Sequence, residues 1–230
     1  DGITTYPAGT FAGFDIENPV LVGVNVLNGL TVQTYLDGVL VETSNAGTLV
    51  SVGSGLLTGS GRQIVGFVVT QPFNTVRLTV SQGLALNLGT TEVYKAVLEQ
   101  FCSGPDPLCN VVTSLVKPTY PVFMNNTNTG IDGILCVGCA INDVANVIND
   151  DTEDFATIVL TAGVGVSGSI SVKDGISDYG AGAFAGFEIE NTSLLYVNLL
   201  NGITIRTYLN GTLQETKTGV NNILTVESSI

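Results

Sequence analysis

Residues equipped for chemistry fall into three groups in this chain: four cysteines, one dense acidic run, and two pairs of carboxylates. Cys102 and Cys109 enclose Ser103, Gly104, Pro105, Asp106, Pro107 and Leu108, whereas Cys136 and Cys139 enclose only Val137 and Gly138. Four cysteines allow three pairings, and these short spacings favour two disulfides, Cys102 with Cys109 and Cys136 with Cys139. Bridged cysteines would set the protein in an oxidising, extracytoplasmic compartment. The second pair also fits a redox motif, which needs a strand-to-helix context, or half of a zinc site, whose other ligands would have to come from the first pair. Asn149, Asp150, Asp151, Glu153 and Asp154 follow Asp143 and Asn146. Closely spaced carboxylate and amide oxygens are what a hard cation such as Ca²⁺ requires. Their spacing is not that of an EF-hand, and a solvated acidic loop is the plainer alternative. Asp15 with Glu17, and Glu188 with Glu190, have the carboxylate pairing used in glycoside hydrolysis. They alternate with apolar neighbours, however, which in a strand puts them on the solvent face. Arg77, inside Phe73-Asn74-Thr75-Val76-Arg77-Leu78, reads likewise as an outward strand residue.

Overall composition narrows the chemistry further. Seven Lys and Arg face 20 Asp and Glu, a net charge of -13 that repels nucleic acid and anionic lipid. There is no His, so the commonest general base and zinc ligand at neutral pH is missing. The chain is therefore read as non-enzymatic. Charged residues are only 12% of the 230, well below the ~25% of an average globular protein, which leaves Thr, Ser, Asn and Gly to cover the surface. Mean hydropathy is +0.41, yet apolar runs such as residues 64–69 and 133–141 are shorter than the ~18 residues of a membrane span. No membrane insertion is expected. No basic segment leads into a hydrophobic one at the start, so any signal peptide is expected to have been removed or to lie elsewhere.

The elements that would position these residues are β-strands. Twenty-eight glycines among abundant Val, Thr, Leu and Ile fit a turn-rich all-β protein. Residues 1–43 match residues 174–216 without a gap, with identity at about 27 of 43 positions. The clearest block is Phe11-Ala12-Gly13-Phe14-Asp15-Ile16-Glu17-Asn18 against Phe184-Ala185-Gly186-Phe187-Glu188-Ile189-Glu190-Asn191. A one-residue insertion then carries the match to Ile230. In each copy three short β-rich runs are separated by dipeptides that tolerate the positive φ of type I′ turns. Residues 20–27, 30–36 and 39–43 are joined by Asn28-Gly29 and Asp37-Gly38, and residues 193–200, 203–209 and 212–216 by Asn201-Gly202 and Asn210-Gly211. A three-stranded meander is the expectation. Further strands over 62–69, 73–81, 83–88 and 91–98 would complete two packed sheets, an antiparallel β-sandwich of jelly-roll-like order in tandem repeats of period about 173 residues.

Residues 57–101 have no counterpart downstream and residues 102–173 none upstream, so the chain reads as a window on a longer array. Its domains are expected to be 1–101, the later part of one repeat; 102–121, a linker stiffened by its prolines; and 122–230, the earlier part of the next repeat. Neither copy makes a whole sandwich alone, and unpaired strand edges must be covered by a neighbouring repeat of the same chain or fibre.

The series Gly133-Ile134-Leu135-Cys136-Val137-Gly138-Cys139, then Val144-Ala145-Asn146-Val147-Ile148-Asn149-Asp150-Asp151 and Phe155-Ala156-Thr157-Ile158, resembles repeat domains of large secreted Bacteroidota surface proteins. So do Leu27-Asn28-Gly29-Leu30-Thr31-Val32-Gln33-Thr34-Tyr35 and the stretch from Phe73 to Tyr94. The resemblance implies export by the gliding-linked secretion system and a role as adhesin or surface filament. The stretch Ala145 to Phe155 is also similar to discoidin-like carbohydrate-binding sandwiches, where the corresponding loop helps bind calcium. The chain departs from that pattern in having no Trp for sugar stacking. The leading expectation is thus an extracellular structural repeat at the cell surface, in a filament, stalk or adhesin shaft that serves adhesion, gliding or biofilm. The alternative is a Ca²⁺-dependent module that binds glycans.

Overall fold

A computed structural model describes residues 3–18, 27, 29–45, 48–52, 62–81, 90–190, 201–219 and 222–223. The chain is all-β, an antiparallel β-sandwich with additional two-stranded pairs. It forms two compact units, residues 1–107 with 113–177, and residues 108–112 with 178–230.

In the first unit, alternation sets which residues turn inward. Strand β2 (Leu30–Leu36) buries Leu30, Val32 and Thr34 and leaves Thr31 and Gln33 half-buried, the period of two that a strand imposes. It pairs with β3 (Val39–Asn45) on one edge and β6 (Thr75–Val80) on the other. Asp37 and Gly38 have φ of 50° and 83°, the positive values a type I′ hairpin needs at both central positions. The second sheet runs in the order β4 (Val50–Val52), β5 (Arg62–Val68), β1 (Thr10–Glu17), β7 (Glu92–Gln100). Ala12 and Ile16 of β1, Val65 and Phe67 of β5, and Leu30 and Val32 of β2 meet in one core with Leu49, Val69 and Phe73. Both sheets contribute to it, which makes the pair a sandwich.

The meander over residues 20–43 forms only in part. The 30–36 and 39–43 runs pair as expected, but the other edge of β2 belongs to β6; residues 20–26, 28, 83–88 and 193–200 lie outside the described residues.

Beyond the sandwich, residues 122–174 form one nested antiparallel ribbon. β8 (Val122–Met124) pairs with β15 (Val172–Asp174), β9 (Gly130–Asp132) with β14 (Ser167–Ser169), β10 (Leu135–Val137) with β13 (Ala162–Val164), and β11 (Ala140–Asn142) with β12 (Thr157–Val159). The base of this ribbon covers the back of β1. Phe123 stacks on Phe11 at 6.5 Å between ring centroids, and Phe101 meets both rings edge-on. Tyr120, Val122 and Met124 bury a second cluster with Ile148 from the 3-10 turn at Val144–Ile148.

The division at 102–121 expected from the prolines therefore differs from the observed one. Residues 113–177 belong to the same compact unit as 1–107. The cause is apolar burial: Tyr120 and Phe123 are 4% and 1% exposed, and that burial outweighs the spacing tendency of the prolines.

The second unit contains a hairpin, β16 (Thr204–Leu209) with β17 (Thr212–Thr218). Asn210 and Gly211 have φ of 50° and 79°, and the register shifts between Thr207 and Tyr208. The hairpin of β2 and β3 has its own shift between Thr34 and Tyr35. Turn and bulge thus recur at matching sequence positions.

Candidate functional site

The acidic loop connects β11 to β12, and its 3-10 turn at Val144–Ile148 returns to the base of the ribbon, where Ile148 packs with Tyr120 and Val122. Its side chains build the loop itself. Asn149 Oδ1 accepts the Asp151 amide and Asp151 Oδ1 accepts the Glu153 amide, both at 2.9 Å, while Asn149 Nδ2 donates to Asp154 Oδ2 at 2.9 Å. Such local bonds are the usual work of Asn and Asp in turns. Asp150 is exposed. Among the described residues, no three acidic, Cys or His side chains are placed to share a metal ion. Two acceptor atoms of this region, Asn146 Oδ1 and Asp154 Oδ1, are nonetheless buried without a hydrogen-bond donor. The other end of the Asn146 amide is anchored, its Nδ2 donating to the Phe155 carbonyl at 3.2 Å.

Cys136 and Cys139 are joined by a disulfide across the turn from β10 to β11, with Cα atoms 5.8 Å apart. Gly138 supplies the positive φ of 76° within the loop, and the Thr161 hydroxyl donates to the Val137 carbonyl. This is strand-turn-strand, not the strand-to-helix setting of a thioredoxin-type site. The expected Cys102–Cys109 bridge is not formed; both thiols are free and exposed. The intervening chain makes a different contact, with the Tyr120 hydroxyl donating to the Pro105 carbonyl at 3.0 Å. Gly104 lies so close to the Tyr120 ring that a Cβ there would clash.

The two carboxylates of β1 depart from the solvent-face expectation. Asp15 is only 5% exposed, because β1 is central in its sheet and its back is covered. Arg62 of β5 grips it with both Nε, at 3.1 Å, and Nη2, at 2.9 Å, and Lys95 of β7 lies 3.8 Å away. The hydrogen bonds from Arg62 hold the Asp15 carboxyl below the usual carboxylate range against the opposing effect of burial, with the Arg62 and Lys95 charges adding to the lowering. The same pairing raises Arg62.

Pairing of β1 with β7 shifts between Asp15, opposite Lys95, and Ile16, opposite Val93, leaving Tyr94 as the extra residue. A bulge re-aims a side chain. Here the Tyr94 ring lies 4.0 Å from the Arg62 guanidinium carbon, and its hydroxyl donates to Glu17 Oε2 at 2.7 Å and Glu92 Oε2 at 2.9 Å. Those two acceptors push the phenol up to about 12. The assembly is a strand clamp, with each carboxylate engaged by a neighbouring strand. Sequence reasoning missed Arg62, Tyr94 and Lys95 because the register that brings them to β1 is long-range. One signal was present: a lone glycine within an apolar run, Gly66, marks close backbone approach.

Gly13 and Gly66 are directly opposed. A Cβ on either would overlap the other strand's backbone, and the Phe11 ring lies over both. The counterpart block in the second unit differs. Residues 181–190 are all exposed and 183–190 form no strand; Phe184, Phe187 and Ile189 are 56%, 46% and 51% exposed. Glu188 and Glu190 stand on this exposed stretch.

Elsewhere, an open groove of about 710 Å³ is lined by Phe14, Tyr35, Val76, Arg77, Leu78 and Val93, among others. Arg77 is exposed and leans on Tyr35, Nη1 to Oη at 3.5 Å. Among the described residues, no helix is long and apolar enough to cross a membrane. Comparison with family models, curated proteins and solved structures gave no match.

Proposed function

We propose that this chain is part of a non-enzymatic structural repeat protein of the cell surface, forming a filament, stalk or adhesin shaft from tandem β-sandwich modules. The observation that carries the reading is recurrence. One sequence block appears twice, and the hairpins that follow it share a type I′ turn and a bulge at matching positions. Two of the carboxylates that invited a catalytic reading, Asp15 and Glu17, are bonded to Arg62 and Tyr94 of the neighbouring strands, which supports a structural role. The Cys136–Cys139 disulfide favours an oxidising, extracellular setting, and the resemblance to secreted Bacteroidota repeat domains points the same way. Its partners are neighbouring repeats of the chain or fibre. Electron microscopy of the native material tests this: beads at regular spacing along a fibre are expected, and isolated globules overturn it.

A second reading is a Ca²⁺-dependent carbohydrate-binding module, favoured by the two undonated oxygens of Asn146 and Asp154. A cation bound in this loop would supply a partner for such oxygens, and a ligand held only by the native state raises stability by mass action. Calcium should then raise the melting temperature, chelation should reverse the rise, and a glycan array should show calcium-dependent binding. A melting curve unchanged by either treatment leaves the loop as a hydrogen-bonded turn.

A further inference from the structure

We propose that the exposed face of the β10–β13 pair is a docking surface for one extended segment of another protein, in which apolar residues alternate with Lys or Arg. The inference does not depend on the array reading and adds a partner to it.

The face follows from the register. Leu135 stands opposite Val164 and Val137 opposite Ala162, and directly opposed residues of an antiparallel pair project from the same side. That side is open. Leu135, Val137 and Val164 are 65%, 68% and 67% exposed, Ala162 is exposed, and Ile134 beside them is 88% exposed. Contiguous apolar surface of this kind marks a contact site. Its shape is fixed before any partner arrives, since the Cys136–Cys139 disulfide closes the turn and the Thr161 hydroxyl holds the Val137 carbonyl.

The edges indicate the kind of occupant. Among the described residues, β10 and β13 pair only with each other, so each presents an outer edge. Natural sheets guard such edges with charge or proline. Here residues 133–141 and 155–172 contain no Asp, Glu, Lys, Arg or Pro. A strand added to either edge would bond to its backbone and lay alternate side chains over the apolar face. These few side chains fall well short of the ~800 Å² per partner that a stable pair of folded surfaces buries, so a single strand fits the surface better than a second copy does.

Charge completes the description. Residues 121–172 carry six carboxylates, Asp132, Asp143, Asp150, Asp151, Glu153 and Asp154, and no Lys or Arg. Their field attracts a cationic segment and opposes a second copy with its net charge of -13. Lipid is a poorer occupant as well: the same field repels anionic headgroups, and residues 121–172 include no Trp or Tyr to hold an interface.

The test uses the whole chain and a short synthetic peptide in which Lys and Val alternate, with its Glu–Val counterpart as control. The Lys–Val peptide should shift the amide resonances of 134–137 and 161–165, bind about tenfold more tightly than the Glu–Val peptide, and weaken as salt rises. Leu135→Ser combined with Val164→Ser alters only an exposed face, so the melting temperature should hold while affinity for the Lys–Val peptide falls roughly tenfold. Leu108→Ser, at an exposed apolar residue outside the ribbon, should leave that affinity unchanged. Absence of binding, shifts confined to other residues, or binding that the double variant leaves intact overturns the proposal. If the chain instead associates with itself as concentration rises and the double variant prevents this, a second copy replaces the peptide partner. If it instead binds phosphatidylcholine vesicles and the double variant does not, lipid replaces it.

Discussion

Residues 10–17 and 183–190 are nearly the same peptide in two surroundings. In the first, Phe11 is fully buried between β1 and the ribbon; in the second, Phe184 is 56% exposed. Local propensity cannot account for that contrast, since six of eight residues are identical. A segment built of two glycine-spaced phenylalanines is a strand only where glycine opposes glycine and an arginine waits for the carboxylate. Tertiary pairing, not intrinsic preference, decides its state.

The comparison can be broken at several strengths. The largest effect belongs to Gly66→Val, whose Cβ would overlap the Ala12 carbonyl and the Gly13 backbone. It should destabilise the first unit by more than about 4 kcal/mol, or prevent its folding. Gly186→Val should change stability by less than about 0.5 kcal/mol, since among the described residues only the Phe184 ring is nearby. Denaturant unfolding of the two variants checks both.

Next, Phe11→Ala removes a fully buried ring that packs on Phe101 and Phe123, at a cost of about 3–5 kcal/mol. Phe184→Ala should cost less than about 0.5 kcal/mol. Equal costs in thermal melts would mean that the two segments share one environment after all.

A smaller effect tests the clamp. Asp15→Asn removes a charge that Arg62 grips through two nitrogens and should destabilise by about 1–3 kcal/mol at neutral pH. Because the folded-state pKa lies below the unfolded one, this contribution is complete above the ordinary carboxylate range and is lost as pH falls through the lowered value. Wild type and variant should converge in acid. A gap that widens as pH falls would contradict the ion pair.

The smallest effect is spectroscopic. Tyr94 titrates near 12 because Glu17 and Glu92 accept its hydrogen. The folded value is raised, so its contribution is present below the ordinary tyrosine range and fades as pH climbs through about 12. In ultraviolet phenolate titration, Tyr94→Phe should delete a late-titrating group and leave the ordinary ones in place.

Much of the architecture was legible because it rests on local rules. Asp37-Gly38 and Asn210-Gly211 announced their turns through the positive φ that few other pairs accept, and Leu30, Val32 and Thr34 announced their face by alternation. The site was less legible wherever the partner is distant in sequence. Asp15 looked like a solvent-face residue because nothing near it shows that Phe123, over a hundred residues away, covers the back of its sheet. Cys102 and Cys109 looked paired by spacing, while the hold of Tyr120 on Pro105 is invisible in spacing. The acidic run is dense in sequence, but density does not reveal that Asn149 and Asp151 direct their oxygens to backbone amides.

The central claim, that one sequence is a paired strand in the first unit and an exposed segment in the second, is tested most directly by residue-resolved amide exchange on the chain as it stands. The amides of β1 that bond to β5 and β7 should exchange only on opening of the first unit, orders of magnitude more slowly than those of 184–190. Comparable protection in the two segments, whether high or low, would contradict the account.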